Sequence, residues 1–442
     1  MKKFTAIMLS LILALSLCGC SGLQNLKNVE LPPLPEVSQD APEATPAPTV
    51  EIDTSASTAE STLPQHVIVS METYSEQHYD PQNGEKLILT FSYETPRVYI
   101  EGRDAAMNAI NEYIATVDET YYTGNDYGLD SIVDGKLGGV NAFLEAATDN
   151  YAFAVDTGDE SLPLEFASER TARVERIDSC VLSLVYNTYT FTGGAHGTYA
   201  ELAYNFDTES GERITLDTLS ADPDGLAAFL REYITKLYTD DADGYYSARV
   251  YEDLSVDAEN NPIADLVRDG VLYFNNEGMV FFAQPYEIGP YASGIIEFTV
   301  PYADLTGVIY DKYLPAEHDA APGALEVKAQ SDVADGSIEI IDKVTVDVTG
   351  EALCIQAVGT VYDIRLSEVD YTNAFYETAR LWAASYMSDC VLQLETLIPD
   401  GMPKLMVSYR SSDGVQTQLL LTQSGEDGAY ILMEKNDIEA VG

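Results

Sequence analysis

The sequence predicts an α+β fold: an antiparallel sheet with helices on one side in a central domain, then a second, smaller α+β domain with strands around one amphipathic helix. Three observations predict it. Short runs of alternating apolar residues recur along the chain, separated by Gly, Asn, Asp and Pro clusters, the pattern of strands joined by tight turns. A few segments instead carry apolar residues at spacings of three and four, the helical period. The chain is 442 residues long and 46% hydrophobic, with 30 Tyr and 13 Phe, enough apolar mass for two or three packed domains despite a net charge of −50.

The elements follow in order. Structure begins near His66, and Lys86–Tyr93 alternates as a strand through Leu87, Leu89, Phe91 and Tyr93. Residues 104–117 read as a helix on Met107, Ile110, Ile114 and Val117, and Leu137–Ala147 as a second. Arg173–Asp178, Cys180–Phe191 and Thr198–Phe206 read as strands, the last followed by a turn-forming run, Asp207–Glu212. Asp222–Leu237 reads as a helix with Asp222 as N-cap, Pro223 at its first position and an apolar stripe of Leu226, Phe229, Leu230, Tyr233 and Leu237. Val271–Phe274 and Val280–Ala283 flank Asn275-Asn276-Glu277-Gly278 as a hairpin; Ile295–Val300 is a strand and Pro301–Leu305 a short helix. Pro315–Gly323 is a break, dividing a domain at 66–315 from one at 325–442. In the latter, strands are expected at 337–348, 352–369 (two), 390–398, 403–410, 415–422 and 428–434, and a helix over Asn373–Met387, with Phe375, Tyr376, Ala379, Trp382, Ala383 and Tyr386 as its core stripe.

The N-terminus supplies an address. Lys2 and Lys3 precede an apolar stretch from Phe4 to Leu17 and then Leu17-Cys18-Gly19-Cys20, a secretory signal (residues 1–19) too short to span a bilayer comfortably. Its end resembles the lipobox of bacterial lipoproteins, which implies lipidation of Cys20 and attachment to the outer face of the cytoplasmic membrane. Residues 20–65 are a lipidated Cys and a tether: Pro32, Pro33, Pro35, Pro42, Pro46, Pro48 and Pro64 alternate with small polar residues.

Charge narrows the partners. With 73 acidic against 23 basic residues, nucleic acid and anionic lipid head groups are excluded, and contact with the membrane falls to the lipid alone. Most of the negative excess lies between residues 66 and 324. Three cysteines remain after the signal and lipid site: Cys180 reads as a core residue, and Cys354 and Cys390 lie in strand-like runs that could pair across a sheet.

No catalytic residues, metal ligands or cofactor are expected. The four histidines, His66, His78, His196 and His318, form no zinc helix, and neither a nucleophile elbow nor a phosphate loop occurs. His78 reads as an exposed turn residue. Asp222–Gly225 and Asp240–Gly244 resemble the start of an EF-hand loop but lack ligands at its first, third, fifth and twelfth positions together, so Asp222 is read as a helix cap. With 73 carboxylates, pairs suited to glycoside hydrolysis carry almost no information.

Two loops stand out as ligand-binding candidates. Tyr189–Tyr199 holds Gly193, Gly194, His196 and Gly197 between two strands, which calls for unusual backbone angles or close backbone approach. Pro285–Gly294 holds two Pro-Tyr steps, Pro285-Tyr286 and Pro290-Tyr291, a rigid aromatic surface suited to binding at low entropy cost.

The same loops carry a resemblance. Thr192-Gly193-Gly194-Ala195-His196-Gly197, then Tyr204-Asn205-Phe206-Asp207 and Gly211, resemble the core of an extracytoplasmic domain that forms the outer part of RsiV anti-sigma factors and the N-terminal part of the peptidoglycan deacetylases called PdaC. Tyr286–Ala292, followed by Phe298–Tyr302, resembles its closing part, and the helix holding Ile110-Asn111 its opening part, so that the likeness covers about residues 66–315. It implies an α+β fold and an outward-facing ligand-binding role; in RsiV the ligand is lysozyme. The chain departs from these relatives in having no cytoplasmic sigma-binding segment before its signal and no Thr-Phe-Asp-Asp-Gly deacetylase run. The expectation is a lipid-anchored, non-catalytic binding or sensor-type protein for lysozyme, another basic protein or a cell-wall glycan. The alternatives are a peptidoglycan-acting hydrolase and a structural partner in an envelope complex.

Overall fold

In chain order the strands and helices are β1 (Val67–Tyr79), β2 (Leu87–Ile100), α1 (Asp104–Thr123), α2 (Val140–Thr157), β3 (Phe166–Ile177), β4 (Val181–Phe191), β5 (Thr198–Asp207), β6 (Arg213–Ile214), α3 (Pro223–Thr239), β7 (Leu272–Phe274), β8 (Gly278–Ala283), β9 (Ile296–Pro301) and α4 (Tyr302–Leu305). Then come β10 (Ala324–Ala329), α5 (Gln330–Val333), β11 (Glu339–Val344), β12 (Leu353–Val358), β13 (Thr360–Asp370), β14 (Tyr376–Ser388), β15 (Cys390–Leu394), β16 (Leu405–Arg410), β17 (Gln416–Gln423) and β18 (Tyr430–Glu434). This computed structural model describes residues 65–435, except 125–138, 159–164, 258, 317–321, 334–337, 347–352, 371–375, 396–403 and 424–429. The signal, Cys20, the tether and His318 fall outside the described residues.

The fold is α+β and dominated by antiparallel sheet. An eleven-stranded sheet runs β18-β17-β16-β13-β14-β1-β2-β3-β4-β5-β6, with β2 and β3 its parallel neighbours. Four strands, β10-β12-β15-β11, and three strands, β7-β8-β9, make two smaller sheets.

Alternation along the strands assigns the faces. On β1, Val67 and Val69 join Ala106, Ile110 and Ile114 of α1, whereas Ile68 joins Trp382, Ile364 and Leu392 in the core shared with the four-stranded sheet. On β4, Leu184 and Tyr186 face α1, and Val185 packs against Val280 and Phe282 of β8. The next residues on β8, Met279 and Phe281, turn to Leu226, Leu230 and Ile234 of α3. The order of layers is therefore α1, large sheet, three-stranded sheet, α3. This corrects the expected placement of the helices on one side: β8 is apolar on both faces, so it needs a cover on each.

Local chemistry sets the element ends. Asp222 caps α3, its carboxylate accepting from Gly225 N at 3.1 Å, as the sequence suggests. Asn275 closes the β7–β8 hairpin by accepting from the backbone of Glu277 and Gly278 at 2.8 and 2.9 Å.

The largest departure from sequence reasoning is Asn373–Met387. Residues 373–375 lie outside the described residues, and the described remainder forms no helix: Tyr376–Ser388 is strand β14, pairing with β13 from Thr360↔Ser388 to Asp370↔Tyr376 and with β1 through Ile68↔Ala384 and Ser70↔Trp382. Trp382, Ala383 and Ala384 are fully buried. A strand covered on both faces loses the two-residue alternation, and its alanines then mimic a helical stripe. Trp382 is core, its indole N–H donating to Asp342 at 2.8 Å. His78 is also corrected, lying half-buried in β1 beside Glu76. Cys354 and Cys390 are buried free thiols, because the β12–β15 register sets Cys354 opposite Gln393.

The large sheet crosses the 315–325 break: β14 from one side pairs with β1 from the other. His66 reinforces the joint, its ring stacked on Tyr386 at 4.4 Å between centroids and its Nε2 at 2.7 Å from the Tyr386 carbonyl.

Candidate functional site

The two loops singled out in the sequence, about ninety residues apart, meet. The first is the β4–β5 turn, where Tyr189 and Tyr199 are register partners. Gly193 and Gly194 take φ of 110° and 96°, a region that side chains disfavour. Gly197 serves differently: a Cβ there would fall inside the Tyr189 ring. Unusual backbone angles and close approach are thus divided among three glycines.

The second loop comes back against this turn. Tyr291 stacks on His196, ring centroids 3.9 Å apart and planes 19° from parallel, and its hydroxyl donates to the Gly197 carbonyl at 2.9 Å. His196 Nδ1 lies 2.8 Å from the same carbonyl. Tyr199 meets Tyr291 edge-on at 5.4 Å, and Tyr286 approaches it at 5.7 Å. Aromatic pairs at these separations add about 0.5–1.5 kcal/mol each beyond area burial. Partial burial first, and neighbouring Tyr oxygens second, raise the pKa of the Tyr199 and Tyr291 phenols, so both are neutral donors at physiological pH.

Tyr286 is the most exposed of the tyrosines, 57% accessible, with φ of +70°. Left-handed backbone on a bulky residue costs about 1–3 kcal/mol and persists only where its surroundings over-determine it. Here they do. The buried Gln284 side chain accepts from Glu201 N at 3.0 Å and donates to Glu201 O at 2.7 Å, extending the edge of β5. Glu287 accepts from Gln284 N at 2.8 Å and pairs with Arg268. Gly289 packs against the Arg249 carbonyl, and Ser293 Oγ donates to that carbonyl at 2.6 Å. Pro285 is half-buried beside the clamp, and Pro290 is exposed, opening the short turn Tyr291–Ser293.

All seven candidates, Gly193, Gly194, His196, Pro285, Tyr286, Pro290 and Tyr291, lie on these two abutting loops. The sequence did not reveal the clamp of Gln284 on Glu201, or that Tyr189 and Tyr199 complete the ring cluster; equal distance from the glycines was the available signal for the latter. The adjoining carboxylates are matched: Glu201 holds Arg173 at 2.8 Å and Glu287 holds Arg268. What the cluster offers is neutral rings, hydroxyls and an imidazole on a fixed backbone. Among the described residues no three His, Cys, Asp or Glu converge as a metal site, and no helix is long and apolar enough to cross a membrane.

Two segments of the chain match known family models. Residues 82–199 match the family model described as deacetylase PdaC, and residues 224–303 match DUF3298, described as a protein of unknown function. One loop of the cluster lies in each matched segment. A DUF3298 family member from Bacteroides fragilis is similar at 16% identity and TM-score 0.40, over 57% of this chain and 96% of its own. A DUF3298 family protein from Pseudomonas aeruginosa is similar at 16% and 0.36, over 56% and 97%. No curated protein matches the chain.

Proposed function

We propose that this chain is a non-catalytic, RsiV-like binding module, held at the outer face of the cytoplasmic membrane by a lipid on Cys20, and that it captures a strongly basic protein of the lysozyme kind on the aromatic cluster. The observation that carries the reading is the meeting of two distant loops around a strained, exposed Tyr286. Rigid tyrosines are favoured contact residues because they bring large area at low entropy cost. A partner rich in Lys and Arg would meet the open face of Tyr286 as a cation over a ring. The net charge of −50 would steer such a partner in from a distance. Deacetylation is left out of the proposal, because the match to that family ends at residue 199 and the chain has no Thr-Phe-Asp-Asp-Gly run.

A cell-wall glycan is the second reading. It is favoured by the pairing of Glu201 and Glu287 with arginines, which leaves the cluster itself closer to neutral than the chain as a whole.

Titration of the chain from residue 21 onward with lysozyme, at low and at high salt, separates these. Steering by charge predicts binding that weakens as salt rises. Absence of binding at both salts removes the basic-protein reading, and binding to soluble wall fragments in its place would establish the glycan.

A further inference from the structure

A second site lies away from the aromatic cluster, and its chemistry is opposite. The β7–β8 hairpin, with Asn275, Asn276 and Glu277, overhangs the strand surface of β13, β14, β16 and β17, leaving an open cleft of about 870 Å³. That size is in the range of small-molecule sites. Asn276 reaches across it toward Gln416 Oε1 at 3.4 Å. In a chain with only 23 basic residues, four line this cleft: Arg365, Arg380, Arg410 and Lys435.

Two of these arginines are fixed in place. Arg380 donates through Nη1 to the Val174 carbonyl at 2.7 Å and through Nη2 to Glu377; Arg365 donates to the Glu175 carbonyl and, at 3.1 Å, to Asp363. The Arg380 side chain is 10% exposed and that of Arg365 12%, and each keeps a buried Nε–H with no acceptor. Arg410 has no carboxylate partner among the described residues. Of the acidic lining groups, Glu175 is matched by Arg173 and Glu377 by Arg380, leaving Glu277 on the overhanging loop. Ser408, Gln416 and Gln418 add hydroxyl and amide groups, and the wall is more polar than apolar, with Met406 among its apolar parts.

We infer that this cleft binds a small oxyanion, carboxylate or phosphate, carried on a hydroxyl-rich ligand, with Arg410 as its principal charge contact. Pre-organised guanidinium groups in a partly enclosed site suit planar or tetrahedral oxyanions, and the amides suit the hydroxyls around them. The inference stands independently of what the aromatic cluster binds.

The test is thermal unfolding and calorimetric titration of the chain from residue 21 onward with D-glucuronate and with D-glucose 6-phosphate, against D-glucose and against sodium chloride at matched ionic strength. Either charged sugar is expected to raise the melting temperature where glucose and chloride do not, and which one does so identifies the oxyanion. Arg410→Gln is expected to weaken that binding about tenfold or more, and Gln418→Glu to do likewise by placing a like charge in the wall. No stabilisation beyond matched chloride by either sugar would overturn the inference. So would unchanged affinity in both variants, each first shown to melt near the parent temperature without ligand.

Discussion

The aromatic cluster and the polar cleft face solvent with different physics. The cluster is aromatic: its rings stack, its phenols stay protonated, and its shape rests on backbone held in a costly conformation at Tyr286. The cleft is ionic: arginines are lodged among carboxylates and carbonyls, a fixed positive group in a strongly acidic chain. A site made by strain should respond to glycine, whereas a site made by charge should weaken with salt and tolerate neither neutralisation nor truncation of its partners. Arg173 links the two, pairing with Glu175 behind the cleft and with Glu201 beneath the Gln284 clamp.

The largest expected effect is at that link. Burial alone would raise the Glu175 carboxyl, but Arg173, Arg365 and Arg380 outweigh it and hold it below the usual range. Arg173→Met would take the direct ion-pair partner from two largely buried carboxylates, Glu175 and Glu201, a loss of about 3–5 kcal/mol in denaturant unfolding. A variant as stable as the parent would show that the two regions are not tied through this residue.

Next comes Glu94, on β2, which accepts from Ala172 N at 2.8 Å and has Arg380 and Glu368 as its charged neighbours. Burial pushes its carboxyl up to about 7 from 4.5. The folded chain therefore holds a proton that the unfolded chain releases between those values, so stability falls as pH rises through the window and the penalty is complete above 7. Glu94→Gln keeps the acceptor and should remove the dependence, gaining about 3 kcal/mol at pH 8 and almost nothing at pH 4.5. Parallel unfolding curves for parent and variant across that range would contradict the placement of charge on this side of the sheet.

The smallest effect tests the strain. Tyr286→Gly relieves the left-handed backbone and should raise the melting temperature modestly, by about 1 kcal/mol of stability, while weakening capture of a partner. A destabilised variant would mean that the ring holds the loop together and is not there for contact.

How much of this was legible follows from how local each requirement is. Gly193, Gly194 and the Pro-Tyr steps announce their loops because left-handed turns and fixed φ are demands on single residues. Asp222 announces α3 in the same way. That the loops meet was not legible, since contact between positions ninety residues apart depends on the layering of β4, β5 and β8. The cleft was invisible for the same reason. Arg365, Arg380, Arg410 and Asn276 are ordinary strand or turn residues until the hairpin is laid over the sheet. Strand β14 shows local signals misleading: Ala379, Trp382, Ala383 and Tyr386 follow a helical stripe, yet the core on both sides selects an extended chain.

One measurement bears most directly on the claim that the aromatic cluster is the capture surface: lysozyme affinity at low salt for the parent, Tyr286→Gly and Arg410→Gln chains in parallel. The account predicts a loss of about tenfold or more for Tyr286→Gly, typical of a contact hot spot, and parent-like affinity for Arg410→Gln. Equal affinities for parent and Tyr286→Gly, or a loss confined to Arg410→Gln, would contradict it.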